Sequence, residues 1–340
     1  MSSIVNIILF VIVLVLYLHI VHQLKTSEDL EIYEMDFTTN THLQEVCDVK
    51  QPVMFEYNSV SPDLYNEITS EKLDDCGIYE VKVKDIKDYY LETDGSSPDY
   101  VTLPFQSANK LLKSDTHSSY FTEQNHDFIE DANLYQFFHA NDEFIKPSST
   151  VLTKYDIMMG SPGTYTPLRF HTDCRRFIST LSGKITIKMS PYKSSKYLHT
   201  INDYENYEFR SPVNAWAPQK KYKNDVNKLK FLEFDVMPGF MLYIPAYWWY
   251  SIKFADSQDT IIAGFTYNTL MNCITNIPNW TLYYLQQHNT KTRIAKTIPI
   301  VPTTIETEPD VAAEVEADIV VETDGGSDDE ETTTGATGSI

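Results

Sequence analysis

Cysteine is scarce in this chain: four residues in 340, Cys47, Cys76, Cys174 and Cys273, with no Cys-x-x-Cys pair. Their spacing supplies neither the ligand pairs of a structural zinc site nor the density of a disulfide scaffold, and leaves one optional disulfide open. Basic residues are few as well. Lys and Arg number 27 against 48 Asp and Glu, a net charge of −21, so the surface as a whole repels phosphate backbones and nucleic acid is not an expected partner. The deficit is uneven, because from Thr303 onward twelve Asp and Glu stand with no Lys or Arg, leaving 21 − 12 = 9 negative charges for everything before it. No internal repeat occurs, and long helical patterns are rare, which argues against solenoids and bundles.

Charge is missing in another way at the N-terminus. Ile4–Val21 is apolar except for Asn6, Tyr17 and His19. At ~1.5 Å per residue, a helix over about 18 residues is ~27 Å long, close to the hydrocarbon core of a bilayer. A single-pass membrane anchor is favoured over a cleaved signal peptide, since residues 1–6 hold no Lys or Arg and Leu18–His22 lacks a small-x-small cleavage pattern; a buried core helix is the third reading. The flanking charges leave the orientation open. Residues 1–22 thus read as anchor, 23–35 as juxtamembrane linker, 36–302 as one folded domain, and 303–340, charged and without an aromatic residue, as a disordered acidic tail.

Within 36–302 short runs rich in Val, Ile, Tyr and Phe recur between Pro, Gly and Asx: Gly77–Val83, Tyr155–Met159, Phe177–Met189, Lys230–Met237, Phe240–Pro245 and Thr260–Tyr267. Helical patterns cover Pro62–Ser70, Ala108–Ser114, Asp127–Ala140 and Asn279–Lys296. The domain is therefore expected to be mainly β, a double-sheet barrel with helical additions. Pro191–Lys228, rich in Tyr, Lys, Asn and Asp, reads as a long polar insertion between two barrel strands.

Two segments carry chemistry. In Thr166-Pro167-Leu168-Arg169-Phe170-His171-Thr172-Asp173, residues two apart on an extended chain share a face, so His171 and Asp173 offer an imidazole and a carboxylate to one ion. The alternating run Phe177–Met189 follows, with Ser182-Gly183 inside it. The second segment, Met237-Pro238-Gly239 through Pro245-Ala246-Tyr247-Trp248-Trp249-Tyr250, combines a turn, an apolar strand, a proline stop and a double tryptophan. Either motif has a bland reading beside the chemical one: His171 as a satisfied core histidine, Tyr250 as a packing tyrosine, and Arg175 and Arg176 as a solvated strand edge.

Together these segments resemble the JmjC-type, cupin-like family of iron and 2-oxoglutarate oxygenases, especially the branch of the asparaginyl hydroxylase that inhibits hypoxia-inducible factor. Asp99–Phe105, Tyr120–Asn125 and Gly160-Ser161 ahead of Thr166-Pro167 are similar in order and spacing. The resemblance implies a double-stranded β-helix (cupin or jelly roll) with flanking helices. It also implies Fe(II) held by the His-x-Asp pair and a later histidine, and 2-oxoglutarate held by a lysine two residues after the strand glycine. His171 and Asp173 match the first two ligands. The third position is Tyr250 and the lysine position is Ile185, with Lys184 and Lys188 on the opposite strand parity. Arg169, Arg175 and Arg176 lie close in sequence, and one of them, Arg169 or Arg175 first, would stand in for the lysine. The resemblance thus implies a protein substrate or partner for a barrel with impaired catalysis, or an active hydroxylase of protein side chains with a rewired site. The exposed helix expected at Asn279–Lys296 would serve as a homodimer face.

Overall fold

The structure, a computed structural model, describes residues 2–91, 97–256 and 259–288. The tail 303–340 and the end of the Asn279–Lys296 helix lie outside these. Among the described residues fifteen strands form two sheets. The larger orders β1 (Tyr33–Glu34), β2 (Val53–Glu56), β13 (Phe240–Ile244), β8 (Arg175–Ser182), β15 (Ile261–Thr269), β6 (Thr150–Gly160), β5 (Tyr120–Thr122), β3 (Glu80–Asp85) and β4 (Tyr100–Pro104). The smaller orders β10 (Ile201–Asp203), β11 (Glu208–Arg210), β7 (Arg169–Phe170), β14 (Trp249–Phe254), β9 (Ile185–Ser190) and β12 (Leu232–Val236). β1 pairs in parallel with β2, so the sheet begins within the stretch read from sequence as linker.

Strand alternation sorts the side chains into three cores. Met158 of β6, Ile178 of β8, Ile185 and Ile187 of β9, Leu242 and Ile244 of β13, and Tyr250 and Ile252 of β14 belong to one cluster, supplied by both sheets, so this is the space between them. Their neighbours at odd spacing point the other way: Tyr155, Ile157, Phe177, Met241 and Tyr243 pack under the helical layer of Leu43, Leu64, Phe105, Phe128 and Phe138. On the outside of the smaller sheet, Phe170, Phe209 and Trp249 meet the 191–228 insertion through Leu198 and Val213. Each fully buried aliphatic or aromatic side chain contributes about 1.5–3 kcal/mol.

Some expected elements differ. Phe177–Met189 is two strands in two sheets, parted at Gly183, whose φ of +69° suits a residue without Cβ. Asp127–Ala140 is two helices, His126–Asp131 and Tyr135–His139, parted near Asn133 with φ 57°. The last helix starts at Leu270, nine residues before the expected Asn279, and carries Pro278 inside it. The N-terminal helix runs Ser2–Leu24, is long and apolar enough to cross a membrane over Ile4–Leu24, and is exposed from Ile4 to His19.

Candidate functional site

The site is built where β7 and β14 meet between the sheets. Arg169 and Tyr250 are register partners there. The turn before β14 is set by Pro245 and by Tyr247, which adopts φ 64° and whose N–H donates to the His171 carbonyl at 2.8 Å. Thereafter Trp249 points outward, edge-on to Phe170 at 5.0 Å between centroids, and Tyr250 points inward at 1% exposure.

His171 and Asp173 lie in the loop that leaves β7. Nε2 of His171 is 3.0 Å from the carbonyl oxygen of Ile244. A carbonyl only accepts, so Nε2 carries the proton and the lone pair of the neutral ring sits on Nδ1. That Nδ1 is buried without a hydrogen-bond partner and faces Asp173 Oδ2 at 3.6 Å. Burial pushes the imidazole pKa down from 6.5 to about 4, against the pull of Asp173, so the ring is neutral at neutral pH. Two acceptors thus converge with no proton between them, an arrangement that a water hydrogen or a cation completes.

The loop is fixed by asparagines at four-residue spacing, Asn268 near the end of β15 and Asn272 and Asn276 in the last helix. Asn268 donates to Asp173 Oδ1 at 3.0 Å and accepts from the Cys174 N–H at 3.2 Å. Asn272 and Asn276 both donate to the Thr172 carbonyl, at 2.9 and 3.1 Å. Sequence reasoning passed over these residues. Their signal was a polar stripe with helical period in an otherwise apolar stretch.

Tyr250 is brought to the same place. Its ring is 6.1 Å from the His171 imidazole, and the guanidinium groups of Arg169 and Arg176 lie over it at 5.9 and 5.8 Å. Arg169 is already engaged. It forks onto both carboxylate oxygens of Glu123, 2.7 Å from Nη1 to Oε1, and reaches Glu208 at 3.3 Å. Lys84 completes the group at 2.9 Å from Glu123 and 3.0 Å from Glu208. Two cations and two anions, all nearly inaccessible, balance one another across β3, β7, β11 and the residue after β5. Burial alone would raise the Glu123 pKa, but Arg169 and Lys84 outweigh it and hold the carboxyl well below the usual range. Breaking such a network by removing one partner costs about 3–5 kcal/mol.

The remaining expected residues fall elsewhere. Arg175 turns to the outer side of β8, with Nε on Gln44 at 2.9 Å and Nη2 on Asp48. Ile185 is fully buried in the inner cluster, whereas Lys184 pairs with Asp235 at 2.9 Å and Lys188 with Glu233 at 3.4 Å outside it. Arg176 shares the inner parity of Ile178 and acts electrostatically on Asp156, though no carboxylate among the described residues forms a direct ion pair with it. Among the described residues no three His, Cys, Asp or Glu side chains converge as a metal-binding group. No family model matches the chain, and no curated protein is similar enough to it to count as a match.

Proposed function

We propose that this chain is a membrane-anchored, JmjC-like cupin protein, derived from 2-oxoglutarate-dependent protein hydroxylases, whose barrel serves as a binding or structural module for a protein partner. The double-stranded β-helix is supported by strand order: β6, β7, β8 and β9, then β12, β13, β14 and β15, join in face-to-face sheets, with β6, β8, β13 and β15 in the larger and the others in the smaller. The observation that carries the loss of catalysis is the closed network of Lys84, Glu123, Arg169 and Glu208 beside Tyr250.

The ancestral cofactors do not fit these residues. His171 Nδ1 and Asp173 Oδ2 supply two donors for Fe(II), but the third side chain is a phenol, which must first lose its proton and then prefers the ferric ion. A two-carboxylate co-substrate meets Ile185 where a lysine is needed, and Arg169 is held by Glu123. An unpaired carboxylate in an apolar pocket costs several kcal/mol. One observation favours the second reading, a rewired hydroxylase: Arg176 presents a cation on the inner side of β8 that lies over the Tyr250 ring and is opposed by the carboxylate of Asp156 without a direct ion pair among the described residues.

Anaerobic Fe(II) titration of the detergent-solubilised full chain, with and without 2-oxoglutarate, followed by a 2-oxoglutarate turnover assay in air, separates the two. Weak iron binding and no turnover are expected, with Tyr250→His tightening iron by roughly tenfold or more because imidazole suits Fe(II) where a phenol does not. Robust 2-oxoglutarate turnover by the unaltered chain, abolished by His171→Ala, would establish the rewired enzyme instead.

A further inference from the structure

The last helix, Leu270–His288, is fastened to the body along one stripe only. Asn279 accepts from Tyr204 at 3.3 Å, Tyr283 stacks edge-on to Tyr207 at 5.6 Å, and Gln287 donates to the Glu205 carbonyl at 2.6 Å. These positions are four apart and so share a face. The opposite side carries Ile277, Tyr284 and Leu285, exposed at 53%, 61% and 58%, with Leu282 at 45% beside them. Water solvates that face poorly. The helix holds no Asp, Glu, Lys or Arg in 19 residues, where a stretch of average composition at 22% charged has about four.

What lies next to it identifies the occupant. The same helix packs against the N-terminal helix Ser2–Leu24, whose side chains from Ile4 onward are exposed along nearly its whole length. We infer that Leu270–His288 is a second membrane element, lying in the interface of the bilayer with Ile277, Tyr284 and Leu285 turned to lipid. The inference rests on the reading that Ser2–Leu24 spans a membrane. An uncharged helix alongside that span is then at the depth of the headgroups and upper acyl chains, where amphipathic tyrosine rings and aliphatic side chains partition together. Two contacts, a span and an interfacial helix, fix the body against the surface where one would let it swing.

The test uses the full chain reconstituted in phosphatidylcholine vesicles. Tyr284→Trp and Leu285→Trp, each at an exposed position, report lipid contact through quenching by acyl chains brominated near the headgroup. Of the native tryptophans, Trp248 and Trp249 are wholly buried. Flotation with the vesicles and lipid-dependent quenching roughly twofold above the parent chain are expected of both variants. Flotation without added quenching would overturn the interfacial helix and leave the span intact. A dimer whose added tryptophan is shielded from both brominated lipid and aqueous iodide would assign the face to a second copy of the chain. A chain that fails to float overturns the span and this inference with it.

Discussion

Tyr250 and Ile185 put a phenol and an aliphatic side chain into the space between the sheets, and the charges around them set the rest. His171 is the most informative of these residues because its fold-imposed pKa makes a signed prediction. Between pH 6.5 and about 4 the unfolded chain takes up a proton that the buried imidazole refuses, so the unfolded state binds more protons and stability falls as pH drops through that window. The full shift corresponds to about 3 kcal/mol, reached below pH 4. His171→Gln keeps a donor for the Ile244 carbonyl and removes the titration, so its melting temperature is expected to fall less between pH 7 and 4.5 than that of the parent. Parallel pH profiles would show that His171 does not titrate on unfolding. The His171 and Asp173 pair was legible in the sequence because two residues on one short extended segment make it. The network around Arg169 was not, because Lys84, Glu123 and Glu208 come from three distant segments and each, read alone, looks like an ordinary surface charge.

Period two marked the strands of the two sheets, and it marked Ile185 as inward and Lys184 and Lys188 as outward. It could not mark where a strand leaves one sheet for the other. Phe177–Met189 keeps its alternation through Ser182-Gly183, so the corner is visible only in the backbone, where Gly183 takes φ +69° and a Cβ would stand 2.5 Å from Thr260 Oγ1 and 2.9 Å from the Asp259 carbonyl. Gly183→Ala therefore combines a left-handed backbone cost with a collision, and a loss of about 1–3 kcal/mol is expected. The denaturant midpoint should fall with an unchanged m-value, whereas an unaltered midpoint would mean that the corner relaxes freely. The last helix was half legible. Its apolar outer face from Asn279 onward has helical period, while Leu270–Pro278 hides behind a proline that reads as a boundary although the helix runs through it.

At the scale of the whole molecule, the question is how the apolar helix Ser2–Leu24 is joined to the barrel. A flexible linker is what the polar stretch after Leu24 suggests. The structure instead holds the helix end directly: Lys50, only 7% exposed, donates from Nζ to the carbonyls of His22 and Gln23, the latter at 2.8 Å. These belong to the last turn, whose carbonyls lack partners within the helix and carry the negative end of its dipole, so they favour an ammonium there against the burial that pushes the Lys50 pKa down to about 8. The carbonyl of Lys50 in turn accepts from Trp248 Nε1 at 3.1 Å, which ties the helix end to the double-tryptophan turn of the site. Lys193 adds an exposed pair with Glu28 at 3.1 Å, worth little by itself. Lys50→Met keeps the apolar stem and the Trp248 bond while removing the ammonium. Charge-assisted hydrogen bonds contribute about 1.5–3 kcal/mol, so opening of the helix end should become roughly 10- to 100-fold more frequent. Trypsin cleavage after Lys25 in the vesicle-reconstituted chain should accelerate in proportion, with the melting temperature of the barrel little changed. An unchanged cleavage rate would mean that the packing of the two terminal helices, rather than Lys50, holds the anchor to the body.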